Sequence, residues 1–95
     1  MSITIKNSEK DGKGLFEAFE ETTKVGEMAY VKNQSGVLII EHTESDPAYS
    51  GKGIGKQLVN AAVAYARATR LKVIPLCPFA SKVMESKETY KDVLA

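Results

Sequence analysis

Apolar and polar residues alternate along much of the first half of the chain. The segment from Leu15 to Glu20 mixes aromatic and acidic residues at near-alternating positions, and the segment from Val25 to Lys32 alternates more clearly. This period is typical of half-buried strands. Residues 33–36 are polar and include a glycine, which predicts a hairpin turn, and the aliphatic run from Val37 to Ile40 predicts a strand covered on both faces. We therefore expect three antiparallel strands joined as a meander.

From Ile54 onward, the spacing of apolar residues is that of a helix. Apolar residues then recur every three or four positions and alanines are frequent, which favours a long helix packed on the sheet. Residues 71–76 are again strand-like, Pro78 to Ser86 predicts a short helix beginning at a proline, and residues 90–94 predict a closing turn or short helix. A helix between two strands of one sheet predicts a right-handed parallel crossover. The expected fold class is therefore mixed α+β or α/β: three antiparallel strands, a long helix, a further parallel strand and a short C-terminal helix.

The composition narrows the function classes. The chain has 95 residues, which predicts a single domain over residues 1–95, and its 13 basic and 12 acidic residues leave a net charge of +1. This balance gives no general attraction to nucleic acid or anionic membranes. The N-terminal residues from Met1 to Lys6 do not resemble a signal peptide, and no apolar run is long enough to span a membrane. We expect a soluble, cytoplasmic protein.

The single cysteine, Cys77, and the single histidine, His42, limit the metal and disulfide chemistry. One cysteine cannot form an intramolecular disulfide, and one cysteine with one histidine cannot make a zinc site. The sequence therefore predicts a protein without metal.

A glycine-rich stretch from Pro47 to Lys56 lies between the predicted buried strand and the long helix. Glycines let the backbone approach a ligand closely, and the free amides of a helix N-terminus bind anions. Lys52 and Lys56 add positive charge, so the stretch indicates a phosphate or pyrophosphate ligand, and a glycine-rich turn without a ligand is the alternative. Its spacing fits neither a Walker loop, since Gly51 and Gly55 enclose three residues, nor a dinucleotide fingerprint.

This stretch resembles the acetyl-CoA pyrophosphate loop of the GNAT superfamily of N-acetyltransferases. That loop reads Arg or Gln, two residues, Gly, one residue, and Gly or Ala; Gly53 and Gly55 match its glycines, while Ser50 replaces the Arg or Gln. The pair His42-Thr43 and the sequence Pro-Leu-Cys-Pro-Phe at residues 75–79 further resemble a family of small N-acetyltransferase domains. The resemblance implies acetyl-CoA as co-substrate. The residues that it assigns to the cofactor are Thr43, Ser50, Gly51, Lys52, Gly53, Ile54, Gly55 and Lys56.

The resemblance also implies acetyl transfer to an amine, either directly or through Cys77. In GNAT folds the strand before the loop and the strand after the long helix splay apart, and pantetheine lies between them. His42 belongs to the first strand end, and the ordinary histidine pKa of about 6.5 suits a general base. Strand alternation places Glu44 on the face of His42, as a second candidate base, and Glu41 on the opposite face. An ordinary polar residue at a strand end is the alternative for His42.

Cys77 belongs to the second strand end, just before a predicted helix N-terminus, a position that lowers the pKa of a thiol. It is a candidate nucleophile, general acid or channel-lining residue, and a small buried hydrophobic residue is the alternative. Many relatives carry a tyrosine as general acid where this chain has Met84. Methionine cannot donate a proton, which leaves Cys77, Tyr90 or water for that role.

The resemblance leaves the acceptor open. Elements that wall the acceptor pocket in larger relatives are absent here, which suits a bulky amine such as a protein amine, or completion of the pocket by a partner or second subunit. We expect a monomer or weak homo-oligomer. The alternatives to an enzyme are a CoA-binding or interaction module without turnover, and a regulatory domain that binds another phosphorylated ligand.

Overall fold

The computed structural model describes residues 2–95 and arranges five strands, in chain order, in one mixed sheet. Met1, the start of the N-terminal segment considered above, lies outside these residues. The elements are β1 (Ile3–Lys10), β2 (Lys13–Glu20), β3 (Thr23–Lys32), β4 (Val37–Ser45), α1 (Ile54–Thr69), β5 (Lys72–Pro75) and α2 (Pro78–Glu85), with short 3-10 turns at Pro47–Tyr49 and Glu88–Tyr90. Strands β1 to β4 are antiparallel, and β5 runs parallel to β4 after the α1 crossover. The predicted fold class is confirmed.

The antiparallel part of the sheet has one strand more than the three predicted. Strand β1 pairs with β2 along its whole length, from Ile3 opposite Glu20 to Lys10 opposite Lys13. The hydrophobic pattern did not reveal β1 because its apolar residues stop at Ile5. The available signal was the turn: Asp11 and Gly12 both adopt positive φ, and Asp-Gly is a favoured sequence for two-residue hairpin turns.

The core lies between α1 and one face of the sheet, here called the helix face. Helix α1 buries six residues on its apolar side, as its period predicts. On the sheet, Met28, Tyr30, Leu38 and Ile40 are almost fully buried. Within residues 2–95, no helix has the length and apolar character needed to cross a membrane. The opposite face of the sheet, here called the outer face, is covered by neither helix: its apolar residues, such as Leu15 and Ile39, remain half-buried.

Strand β4 extends to Ser45 and is longer than the predicted run from Val37 to Ile40. Residues 41–45 are mostly polar and exposed, so hydrophobicity does not mark them as strand. They are held in the sheet by backbone pairing with β3, which continues to Ser45 opposite Gly26. His42 and Thr43 therefore lie inside a strand.

At Gly26, strand β3 passes close to the start of α1. A Cβ atom at this residue would lie 2.7 Å from Cγ2 of Ile54 and 3.0 Å from the carbonyl oxygen of Glu44. We expect Gly26→Ala to lower the free energy of unfolding by about 1–3 kcal/mol, because overpacking displaces the buried start of the helix. Denaturant unfolding measures the change. The neighbouring Glu27→Ala, on the outer face, should stay within about 0.5 kcal/mol of wild type. Equal stability of Gly26→Ala and wild type would contradict this packing.

Candidate functional site

A gap opens where β4 and β5 part. Their parallel pairing runs from Val37 opposite Lys72 to Ile40 opposite Pro75. The backbone amides of Leu76 and Cys77 then both donate to the carbonyl of Ile40, at 3.0 and 3.2 Å. Beyond this point the chain after β5 turns into α2, while β4 continues alongside β3. The two strands therefore diverge beside Cys77, as the resemblance implied.

A β-bulge decides which residues of β4 face the gap. The register shifts between Ala29 and Tyr30, so that Glu41 is an extra residue between Ile40 and His42. Residues directly opposite each other share a face of the sheet. Thr43 lies opposite the buried Met28 and so points to the helix face, whereas His42 lies opposite Ala29 and points to the outer face. The structure therefore brings Thr43, and not His42, next to Cys77.

Cys77 is a buried thiol at the N-cap of α2. Burial raises its pKa, but the nearby backbone amides of Ala80 and Phe79 and the hydroxyl of Thr43 lower it, and the net pKa lies below the ordinary cysteine value. The Oγ1 atom of Thr43 is itself buried and has no well-aligned hydrogen-bond partner, although it lies close enough to the thiol to act on it. This environment favours the thiolate, the reactive form of cysteine.

The glycine-rich loop leads directly into the N-terminus of α1. Gly53 is the N-cap, with a left-handed φ of 74°, and it offers no side chain to the first-turn amides. Gly51 is also left-handed, with a φ of 81°, and a Cβ atom at either glycine would meet no other atom within 4 Å. The first turn carries no acidic residue. The loop therefore presents free amides at the positive end of a 16-residue helix.

An open groove of about 480 Å³ lies between this loop and α2. It is lined by Ser45, Tyr49, Ser50, Gly51, Gly53, Ile54, Gly55, Lys56, Phe79 and Val83. Six of the residues predicted to bind the cofactor are in this list, whereas Thr43 lies at the gap beside Cys77 and Lys52 is exposed. The Ile54 side chain is buried in the core, so its backbone is the part available to a ligand.

Two further residues near the groove were not found from the sequence. The Phe79 ring lies against Gly55, where a Cβ atom would be 2.6 Å from the ring, and it remains 43% exposed. The Lys87 ammonium lowers the pKa of Lys56 through direct contact and like-charge repulsion. Neither residue is marked by local sequence, because each reaches the loop through the packing of α2 and the segment after it.

The residue at the position of the tyrosine acid, Met84, and one candidate replacement for that acid, Tyr90, are both buried. Met84 is fully buried in the core. Tyr90 is also buried, and its hydroxyl donates to Oδ1 of Asn60 on α1, at 2.5 Å. Of the side chains considered as replacements for the tyrosine acid, Cys77 is the one at the divergence of β4 and β5.

His42 lies in a separate cluster on the outer face. Its Nε2 atom is 3.0 Å from Oε1 of Glu44, which confirms that these two residues share a face. Glu27, on β3, lies directly opposite Glu44 and joins the cluster. Glu27 was not singled out from the sequence, because it is distant along the chain and only strand pairing brings it near His42.

The sequence matches the family described as GCN5-related N-acetyl-transferase over residues 15–93. Among solved structures, a GCN5-like protein from Staphylococcus aureus is 29% identical with a TM-score of 0.70, and the alignment covers 95% of this chain and 87% of that one. The IAA acetyltransferase from Bacillus cereus ATCC 14579 is 15% identical with a TM-score of 0.68, covering 78% of this chain and 65% of that one. A GNAT family acetyltransferase from Elizabethkingia anophelis, solved with acetyl-CoA bound, is 14% identical with a TM-score of 0.67, covering 77% and 63%.

The chain spans less than two thirds of the Bacillus and Elizabethkingia proteins, and at these identities the likeness shows a shared fold. No curated protein matches the sequence. The family match includes the strand divergence, the glycine loop and Cys77.

Gly53 provides a test of the loop. We expect Gly53→Val to abolish saturable acetyl-CoA binding, because a β-branched residue is strained at a φ of 74° and its side chain enters the space next to the helix amides. Calorimetric titration with acetyl-CoA measures the loss. Gly36→Val is the matched control: its φ of 81° imposes comparable strain in open space, at the β3–β4 turn. Retained binding in Gly53→Val, or its loss in a folded Gly36→Val, would contradict the assignment of the loop.

Proposed function

The chain belongs to the GCN5-related N-acetyltransferase family, and from this premise we propose that it transfers an acetyl group from acetyl-CoA to an amine by way of Cys77. In this proposal the pyrophosphate of acetyl-CoA binds the free amides at the start of α1, with Lys52 and Lys56 nearby. The pantetheine arm enters the gap between β4 and β5. The thioester then lies beside Thr43 and Cys77.

The observation that carries the proposal is the environment of Cys77. Its thiol lies at the divergence of the two strands, and amides of α2 together with Thr43 lower its pKa. In the first step the thiolate attacks the carbonyl carbon of acetyl-CoA, the bond from that carbon to the CoA sulfur breaks, and CoA leaves as a thiolate that takes a proton from water. The product is a thioester on Cys77.

In the second step an amine attacks the Cys77 thioester from the outer face. In this proposal the amine reaches the thioester through the divergence of β4 and β5. His42 accepts the proton that the amine loses, and the Glu44 carboxylate, 3.0 Å away, stabilises the resulting imidazolium. The bond from carbonyl carbon to Cys77 sulfur breaks, and the Cys77 thiolate is regenerated.

We propose a protein amine, or another bulky amine, as the acceptor. The outer face next to His42 is covered by neither helix, so the approach to the gap has no enclosing wall from residues 2–95. A small diffusible amine would find few contacts there, whereas an extended or folded acceptor could make contacts along the strands.

Cys77→Ser separates the covalent mechanism from direct transfer. Intact-mass measurement after incubation with acetyl-CoA should show one acetyl group on the wild type and none as a thioester on Cys77→Ser, while acetyl-CoA affinity stays within about threefold. His42→Gln should still acquire the thioester but lose transfer to amines. If Cys77→Ser transfers acetyl groups at the wild-type rate, the covalent route is wrong. If neither protein is acetylated and neither transfers acetyl groups to amines, the chain is a CoA-binding module without turnover.

Thr43→Val tests the pKa of the thiol directly. Removing the hydroxyl removes an interaction that lowers the pKa of Cys77, so the pKa should rise. Because the chain has one cysteine, the rate of alkylation by iodoacetamide reports this group alone. We expect the midpoint of the rate against pH to move to higher pH in Thr43→Val and to stay in place in Thr4→Val, on an exposed part of β1. An unchanged or lower midpoint in Thr43→Val would exclude this role for the hydroxyl.

A further inference from the structure

Three glutamates lie in one row across the outer face. Glu17 on β2 is directly opposite Glu27 on β3, and Glu27 is directly opposite Glu44 on β4. Like charges in directly opposed positions destabilise a sheet unless cations compensate them. Lys24 compensates the negative charges of Glu17 and Glu27, because its Nζ atom lies 2.9 Å from the first carboxylate and 2.5 Å from the second. Within residues 2–95, the ion-pair contact of Glu44 is with His42.

The β-bulge at Glu41 builds this arrangement. Without the bulge, the register set by the pair of Tyr30 and Ile40 would continue along both strands. Glu27 would then lie opposite Thr43, and His42 would point to the helix face. The extra residue shifts β4 by one position, so Glu44 comes to lie opposite Glu27 and His42 comes to the same face. The bulge therefore assembles an imidazole and two carboxylates from residues that are separated along the chain.

The side-chain atoms of this cluster are close enough to share one ion. One ligand atom from each of Glu27, His42 and Glu44 lies within 4.8 Å of the others, and His42 Nε2 is 3.0 Å from Glu44 Oε1. Ligands bound at about 2.1 Å around a tetrahedral ion are separated by about 3.4 Å. The His42 and Glu44 side chains are 50% and 66% exposed, so small rotations can bring the three atoms to that spacing. Lys24 contacts Oε1 of Glu27, which leaves Oε2 for an ion.

We propose that Glu27, His42 and Glu44 form a binding site for a divalent transition-metal ion, with Zn²⁺ as the best match to the donors. Imidazole nitrogen with carboxylate oxygen suits Zn²⁺, whereas Mg²⁺ prefers an octahedral set of oxygens and keeps most of its water. Three protein ligands leave at least one coordination position to water. The two carboxylates supply the negative charge that balances the ion.

Occupancy of the site would regulate the enzyme, an inference that rests on the proposed function. A metal ion on the imidazole holds the lone pair that His42 would use to accept a proton from the amine. Zn²⁺ should therefore inhibit acetyl transfer to amines while leaving the formation of the Cys77 thioester unchanged, because Cys77 and Thr43 lie on the other side of the strands.

Calorimetric titration of the full chain with Zn²⁺, in a buffer without chelators, tests the site independently of turnover. We expect one-to-one binding, weakened by at least about tenfold in His42→Gln and in Glu44→Gln. Glu41→Gln, a neighbouring exposed carboxylate outside the cluster, should bind as the wild type does, and so should Cys77→Ser. Mg²⁺ should show no saturable binding at the same concentrations.

Three outcomes would overturn the site: no Zn²⁺ binding by the wild type, wild-type affinity in His42→Gln, or loss of binding in Cys77→Ser. As a second measurement, intact mass can follow the Cys77 thioester with and without Zn²⁺. Equal thioester formation with slower transfer supports the regulatory role, whereas Zn²⁺ binding with unaffected transfer refutes that role and leaves the metal site standing. If the proposed transfer through Cys77 is wrong, the metal-free protein will form no thioester. That result differs from each of the results that test the metal site.

Discussion

The divergence of β4 and β5 after the pair of Ile40 and Pro75 is the constraint on which the site depends. Two parallel strands that kept pairing would satisfy their backbone groups with each other and leave no slot for a ligand. Here two amides converge on one carbonyl, that of Ile40, and the chain after β5 turns into a helix. Because α2 begins at this turn, its first amides surround Cys77 and lower the pKa of the thiol. The end of β5, the start of α2 and the position of the Cys77 thiol thus depend on one another.

The bulge at Glu41 divides the chemistry between the two faces of the sheet. On the helix face, Thr43 lies beside Cys77, close to the groove that ends at the start of α1. On the outer face, His42 joins Glu44 and Glu27. A single inserted residue therefore separates a thiol centre, suited to holding an acyl group, from an imidazole and carboxylate centre, suited to proton transfer or to a metal ion. In the proposed reaction the amine passes from one centre to the other at the gap between the strands.

Packing of α1 on the sheet fixes the loop at the entrance to this gap. Gly26 lets the start of the helix approach β3, and the buried Ile54 and Leu58 hold it there. The left-handed Gly53 then ends the loop without a side-chain cap, so the helix amides remain available. Apolar burial in the core therefore holds the loop in position.

The sequence by itself determined the parts of this protein that repeat a period or match a motif. The alternation of apolar and polar residues predicted strands β2 and β3, and helical spacing predicted α1. The proline at residue 78 predicted the start of α2. The glycine loop and Cys77 were found because close backbone approach and thiol reactivity each require particular residue types. Strand β1 was missed, since its hydrophobic pattern is too short and its Asp11-Gly12 turn signal was not used.

Only the tertiary structure decided which site residues meet. Alternation correctly placed Glu44 beside His42, because no bulge lies between them. Alternation could not show that His42 lies on the opposite face of the sheet from Cys77, because the bulge depends on pairing with β3. Nor could it show that Glu27 lies near His42. The association of Phe79 with Gly55 and of Lys87 with Lys56 also depends on helix packing. Local sequence carries the period of each element, but register and packing between elements are long-range properties, and these determine the chemistry of the site.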